Sequence, residues 1–150
     1  MASRGIDHVG VTSSDLDRSL RFYRDLLGMT VLDRGFETSA EMATLLGCEA
    51  VEFAYADLDS GDGRVFELLQ YLSPPGAPTR SDPFDPGTPH VAVRVEDIDA
   101  VRSRLTAADT PVISHAPVRV DAPGTVWHGG VYLLTRDPDG VVIELVERPA

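Results

Sequence analysis

Four side chains in this sequence combine the right types with matching surroundings to hold a metal ion: His8 in Ile6-Asp7-His8-Val9, Glu67 in Val65-Phe66-Glu67-Leu68, His90 in Pro89-His90-Val91-Ala92, and Glu144 in Val142-Ile143-Glu144-Leu145. Alternate side chains of a strand share a face, so His8 lies with Ile6 and Gly10, and Glu67 with Val65, Leu69 and Tyr71. An ionised carboxylate among apolar neighbours is costly unless something pairs with it. Two arginines or one divalent cation would serve. Taken singly, each histidine reads as a half-buried strand residue and each glutamate as an exposed edge residue. All four recur in register, whereas arginines do not, and that favours one divalent ion. Two imidazole nitrogens and two carboxylates suit Ni, Co, Zn, Mn or Fe. Such an ion binds the two oxygens of an α-hydroxycarbonyl or of a thioester and carboxylate, and stabilises the charge that develops when the adjacent carbon loses a proton. The proton needs a base, for which Glu144 is the first choice and Glu52 the second. Glu52 shares its strand face with Ala54 and Ala56, small residues that would leave room beside a carboxylate.

These positions come from a duplication. The stretch from His8 to Asp17 aligns without a gap on His90 to Asp99 at an offset of 82, and Val65-Phe66-Glu67-Leu68-Leu69 aligns on Val142-Ile143-Glu144-Leu145-Val146 at an offset of 77. Two modules follow, residues 5–72 and 89–148, joined by a proline-rich linker over 73–88. Each opens with a β-branched run and continues with apolar residues at helical spacing: Leu16, Leu20, Tyr23 and Leu27 in the first, Ile98, Val101, Leu105 and Ala108 in the second. Ser14 and Glu96 precede these helices, acidic residues fill their first turns, and Gly28 closes the first. Further strands are expected at about 29–33, 50–57 and 64–71, then 111–113, 118–121, 130–135 and 141–147, the last two joined by a hairpin at Asp137-Pro138-Asp139-Gly140. Residues 36–49 have no counterpart in the second module, and Glu41 to Leu46 read as a short helix or a lid.

The remaining features exclude several classes. The chain has 150 residues, 43% hydrophobic and 25% charged, the composition of a folded globular domain. Its 13 basic and 24 acidic residues give a net charge of −11, which repels nucleic acid and anionic membrane surfaces. A single cysteine, Cys48, without a basic neighbour reads as a core residue in a reducing, cytoplasmic setting. His115 and His128 lie in Pro/Gly-rich loops and read as solvated.

Strand, helix and strands duplicated, with His on the first strand and Glu on the last, resembles the vicinal oxygen chelate superfamily of glyoxalase I, methylmalonyl-CoA epimerase, extradiol dioxygenases, and fosfomycin and bleomycin resistance proteins. The resemblance covers nearly the whole chain. It implies an α+β fold in which tandem βαβββ modules form an open, cupped mixed sheet. In the glyoxalase I branch the positions matching His8, Glu67, His90 and Glu144 hold a divalent metal. A carboxylate at Glu67 departs from fosfomycin transferases, and a second Glu from extradiol dioxygenases. No stretch matches the basic cluster with which glyoxalase I holds glutathione. The strand around Glu52 is similar to the one carrying a catalytic glutamate in methylmalonyl-CoA epimerase. The resemblance thus implies an isomerase, epimerase or lyase acting by proton transfer next to a carbonyl of a small carbonyl or thioester substrate, with a homodimer as the expected assembly. The alternatives are a non-haem iron dioxygenase of the same superfamily and a small-molecule-binding resistance protein without catalysis.

Overall fold

A computed structural model describes residues 3–79 and 82–149; Arg80 and Ser81, within the expected linker, lie outside the described residues. The chain divides into two compact units, Met1–Pro78 and Thr79–Ala150.

In the first unit, strand β1 (His8–Thr12) leads into helix α1 (Leu16–Leu20), followed by β2 (Thr30–Glu37), α2 (Ala40–Leu46), β3 (Glu52–Asp59) and β4 (Val65–Ser73). The sheet order is β1-β4-β3-β2, with β1 parallel to β4 and the other pairs antiparallel. The second unit repeats the plan with β5 (His90–Arg94), α3 (Ile98–Ala107), β6 (Val118–Arg119), β7 (Val131–Arg136) and β8 (Val142–Glu147), in the order β5-β8-β7-β6. Again the first and last strands are the parallel pair.

Alternation along the strands separates a core face from a site face. Phe66 and Leu68 on β4 and their partners Leu58 and Ala56 on β3 are buried. The ring of Tyr23 packs on Phe66 at 4.7 Å between centroids, so the helical segment covers this face. Val65, Glu67 and Leu69 point the other way. In the second unit Ile143 and Leu145 are buried, as are Ile98, Val101 and Leu105 of α3, which packs on β7 and β8. Each helix is also tied to the closing strand by a side chain at its first turn. The Leu16 amide donates to Gln70 Oε1 and the Ile98 amide to Glu147 Oε2, both at 2.9 Å. Gln70 and Glu147 stand 77 residues apart, on the same repeat as the two glutamates.

Several local expectations are corrected. The helix caps are Asp15 and Asp97, one residue later than Ser14 and Glu96, with carboxylates accepting from the amides of Arg18 and Ala100. The first helix widens after Leu20 into a π-helical turn over Arg21–Leu26, where the Leu27 amide reaches back five residues to the Phe22 carbonyl. Strand β2 runs on to Glu37, β6 is only two residues long, and the strand expected at 111–113 is a single bridge between Val112 and Thr135. Residues 40–46 do form a helix, capped by Ser39 and ended by left-handed Gly47. Around α2, Ala43 joins Val51 and Phe53 in a small core packed against Met42, Cys48, Tyr55, Leu69 and Tyr71. α2 therefore covers one end of the site face of the first sheet.

Candidate metal centre

In the first unit β1 and β4 pair so that His8 stands beside Val65 and Gly10 beside Glu67. The Glu67 carboxylate lies over Gly10; a Cβ there would meet its Oε2 at 3.2 Å. His8 Nδ1 is 2.9 Å from Asp7 Oδ1. The Asp7 hydrogen bond raises the imidazole above its ordinary pKa, opposed by desolvation and helped in turn by the charges of Glu67, Asp7 and Asp57. Burial, with the charge of Asp57 adding to it, pushes the Glu67 carboxyl up.

In the second unit the ladder is the same. His90 stands beside Val142 and Ala92 beside Glu144. His90 Nε2 lies 4.0 Å from Glu144 Oε2, the imidazole 59% exposed and the carboxylate 21%. Each unit thus presents one imidazole and one carboxylate on one face of a parallel strand pair, at identical ladder positions. Among the described residues neither glutamate is bonded to an arginine. The donors in each unit are of the kind a divalent ion takes, one carboxylate and one imidazole nitrogen, with the carboxylate only partly solvated and, in the first unit, Gly10 leaving room for it. Within either unit, among the described residues, no group of three or more His, Cys, Asp or Glu gathers as a complete ligand set.

The site faces differ in ways the motifs did not reveal. Opposite Glu67 on β3 is Asp57, whose own partner on β2 is Asp33, so three carboxylates line up across the first sheet. Burial and the Asp33 charge push the Asp57 carboxyl up. Opposite Glu144 the second sheet has Leu134. Two tyrosines also repeat at the offset of 77: Tyr55 pairs with Leu69, and Tyr132 with Val146. The Tyr55 hydroxyl donates to Asp33 Oδ2 at 3.1 Å, and that of Tyr132 to the Trp127 carbonyl at 3.3 Å. Extending the offset beyond the glutamate strands would have exposed this pair.

Glu52 is not brought to Glu67. It is exposed at the start of β3, beside a register irregularity, and five residues from Asp57, about 17 Å along an extended strand. Ala54 and Ala56 alternate onto the core face, where Ala56 is fully buried beneath the helical segment rather than flooring an open pocket. His128 Nδ1 lies 3.5 Å from Asp121 Oδ1, and the His115 carbonyl accepts from Arg102; neither histidine joins the strand pairs. Cys48 is half-buried against the α2 core.

The chain is two tandem α+β units with His and Glu at matched rungs of their parallel strand pairs. Residues 5–145 match the profile of the Glyoxalase/Bleomycin resistance protein/Dioxygenase superfamily, and the chain belongs to that family. It is 31% identical over 143 residues to a lactoylglutathione lyase of Haemophilus influenzae, covering 93% of this chain and 90% of the relative. It is 29% identical over 166 residues to a 2-epi-5-epi-valiolone epimerase of an Actinomyces species, covering 100% of this chain and 86% of the relative. The fold matches that of a glyoxalase family protein from Bacillus cereus with a TM-score of 0.86 at 21% identity, covering 100% of this chain and 97% of that one.

Proposed function

We propose that this protein is a divalent-metal-dependent isomerase, epimerase or lyase that moves a proton on the carbon next to a carbonyl group, with His8, Glu67, His90 and Glu144 as the metal ligands and Glu144 as the base. The observation that carries the reading is the matched ladder: His8, Gly10 and Glu67 in one unit and His90, Ala92 and Glu144 in the other occupy the same rungs of the same parallel pairing. Relatives named as a lactoylglutathione lyase and as a 2-epi-5-epi-valiolone epimerase support the choice of lyase or epimerase.

A bound divalent ion would supply Lewis-acid polarisation of the substrate oxygens. The chain's own residues supply the rest. Glu144 is mostly shielded from water and flanked by Val142 and Val146, both buried. It would take the proton onto an Oε atom and return it to the same carbon or its neighbour. His90 Nε2 stands 4.0 Å from that carboxylate, beyond hydrogen-bond distance but close enough for both to approach one ion. Leu134, opposite on β7, gives the substrate an apolar neighbour that offers no competing proton. Glu52 has no part in this mechanism.

Anaerobic purification with elemental analysis, followed by a screen of carbonyl compounds for deuterium uptake from D₂O, tests the reading. Metal in the wild type, its loss in His8→Ala and His90→Ala, and exchange that disappears in Glu144→Gln are the expected results. Oxygen consumption without deuterium uptake would select the dioxygenase alternative, and a metal-free protein that binds small molecules unchanged would select the resistance-protein alternative.

A further inference from the structure

The site face of the second unit carries three arginines, Arg94 on β5, Arg136 on β7 and Arg148 beyond β8, where the first unit has Thr12, Asp59 and Tyr71; of the three, Arg148 is set against two aromatic rings. Arg148 follows β8 four residues beyond Glu144, with Val146 between them, where the first unit has Tyr71 at the matching position beyond Glu67. Its guanidinium carbon lies 5.5 Å from the ring centre of Tyr132 and 5.7 Å from that of Trp127, and Nη1 donates to the Val126 carbonyl at 2.6 Å. The two rings stand 6.2 Å apart, and the Tyr132 hydroxyl bonds back to the Trp127 carbonyl. Tyr132 belongs to the Glu144 face because its cross-strand partner is Val146. These contacts hold a guanidinium in place at small further entropic cost. No carboxylate among the described residues pairs with it, although acidic residues outnumber basic ones 24 to 13 in this chain. Glu147, its neighbour in sequence, is turned to the other face and engaged with the Ile98 amide.

Resting on the proposed reaction, we infer that Arg148, braced by Trp127 and Tyr132, binds a carboxylate of the substrate. The substrate is then an acid whose reacting carbonyl lies at Glu144 and whose carboxylate lies beyond Val146, the two backbone positions being about 14 Å apart along the strand before their side chains reach toward each other. A guanidinium suits this task because its planar fork matches both oxygens of a carboxylate, and part of it is desolvated by the two rings. Trp127 is 52% exposed and is the only tryptophan in the chain, so its fluorescence reports occupancy at this point.

The test is a fluorescence titration of the full-length purified protein with 4-oxopentanoate and with 4-oxopentanamide, which differ only in the charged group. The wild type is expected to bind the acid roughly tenfold or more tightly than the amide, the usual contribution of a charge-assisted hydrogen bond. Arg148→Met should bring the two within about twofold, Arg148→Lys should lie between, and Glu144→Gln should keep the preference, with circular dichroism confirming folded variants. Equal binding of acid and amide by the wild type overturns the inference, as does a preference that survives Arg148→Met, which would place the anion on a metal or another arginine. Either failure leaves deuterium exchange at Glu144 untouched, so the inference and the reaction class fall separately.

Discussion

At the scale of single residues the site is a balance between burial and charge. Glu144 is the base in the proposed reaction, so Glu144→Gln should lower turnover and solvent exchange by roughly 10²-fold or more, the low end of a general base's contribution. Full activity in that variant would remove proton transfer as assigned. Asp7, an exposed neighbour of no evident value to the fold, makes a second prediction. A metal needs the neutral form of His8, and the Asp7 hydrogen bond favours the protonated form by raising its pKa. Below that raised pKa the proton competes with the metal, and above it the imidazole is free to bind; Glu67, also pushed up, likewise becomes a better ligand as pH rises and it loses its proton. The gain in melting temperature on adding Ni²⁺ should therefore be small at pH 5 and large at pH 7.5. In Asp7→Asn its midpoint should move to lower pH, readable by scanning fluorimetry at a series of pH values. An unchanged midpoint would show that Asp7 does not control the imidazole. The four proposed ligands were legible in the sequence because a charged residue inside an apolar strand is conspicuous, and its repetition more so. Asp57 was not. It sits in a run that alternates acceptably as a strand, and only the β3/β4 register reveals that it faces Glu67.

At the scale of elements, the parallel pair of first and last strands positions each imidazole and carboxylate. Gly10→Val would put bulk where the Glu67 carboxylate now lies, so metal affinity should fall about tenfold or more while β1, an edge strand of ordinary backbone geometry, tolerates the change. Ala92→Gly at the matching rung should leave affinity within about twofold, because the second unit already accommodates a methyl group there. Equal effects of the two would deny that Gly10 matters as space. The β7–β8 hairpin registers Glu144. The buried Asp137 carboxylate accepts from the amides of Asp139 and Val141, and Gly140 takes the left-handed conformation that closes the turn. Asp137→Ala should cost about 1–3 kcal/mol by leaving two amides unpaired, measured as a shift in denaturant midpoint. Strand and helix positions followed from periodicity because each element has one buried face. The π-helical turn did not, since its widening depends on how Phe22 and Tyr23 pack rather than on spacing. Nor did the burial of Ala56: two small residues on one strand face look the same in sequence whether a substrate or a helix covers them.

At the scale of the whole molecule, duplication places one half of the proposed ligand set in each unit, and among the described residues no group of three His, Cys, Asp or Glu gathers as a ligand set. Exposed apolar side chains on the first unit, among them Leu32 and Phe36 on β2 and Leu45 on α2, are the kind of surface that a second copy of the chain would cover. The stretch between Ser73 and Pro89 is longer than most connections within a compact domain and rich in proline. The expected homodimer would pair His8 and Glu67 of one chain with His90 and Glu144 of the other, at one metal per chain. Co-expressing His8→Ala with His90→Ala under separate affinity tags isolates the mixed dimer and tests this. One of its two shared sites carries both substitutions, and the other carries neither. The mixed dimer should then hold about one metal and about half the wild-type activity, although each parent holds none. A mixed dimer as empty as its parents would place all four ligands within one chain, and a monomer in light scattering that still binds its metal would do the same.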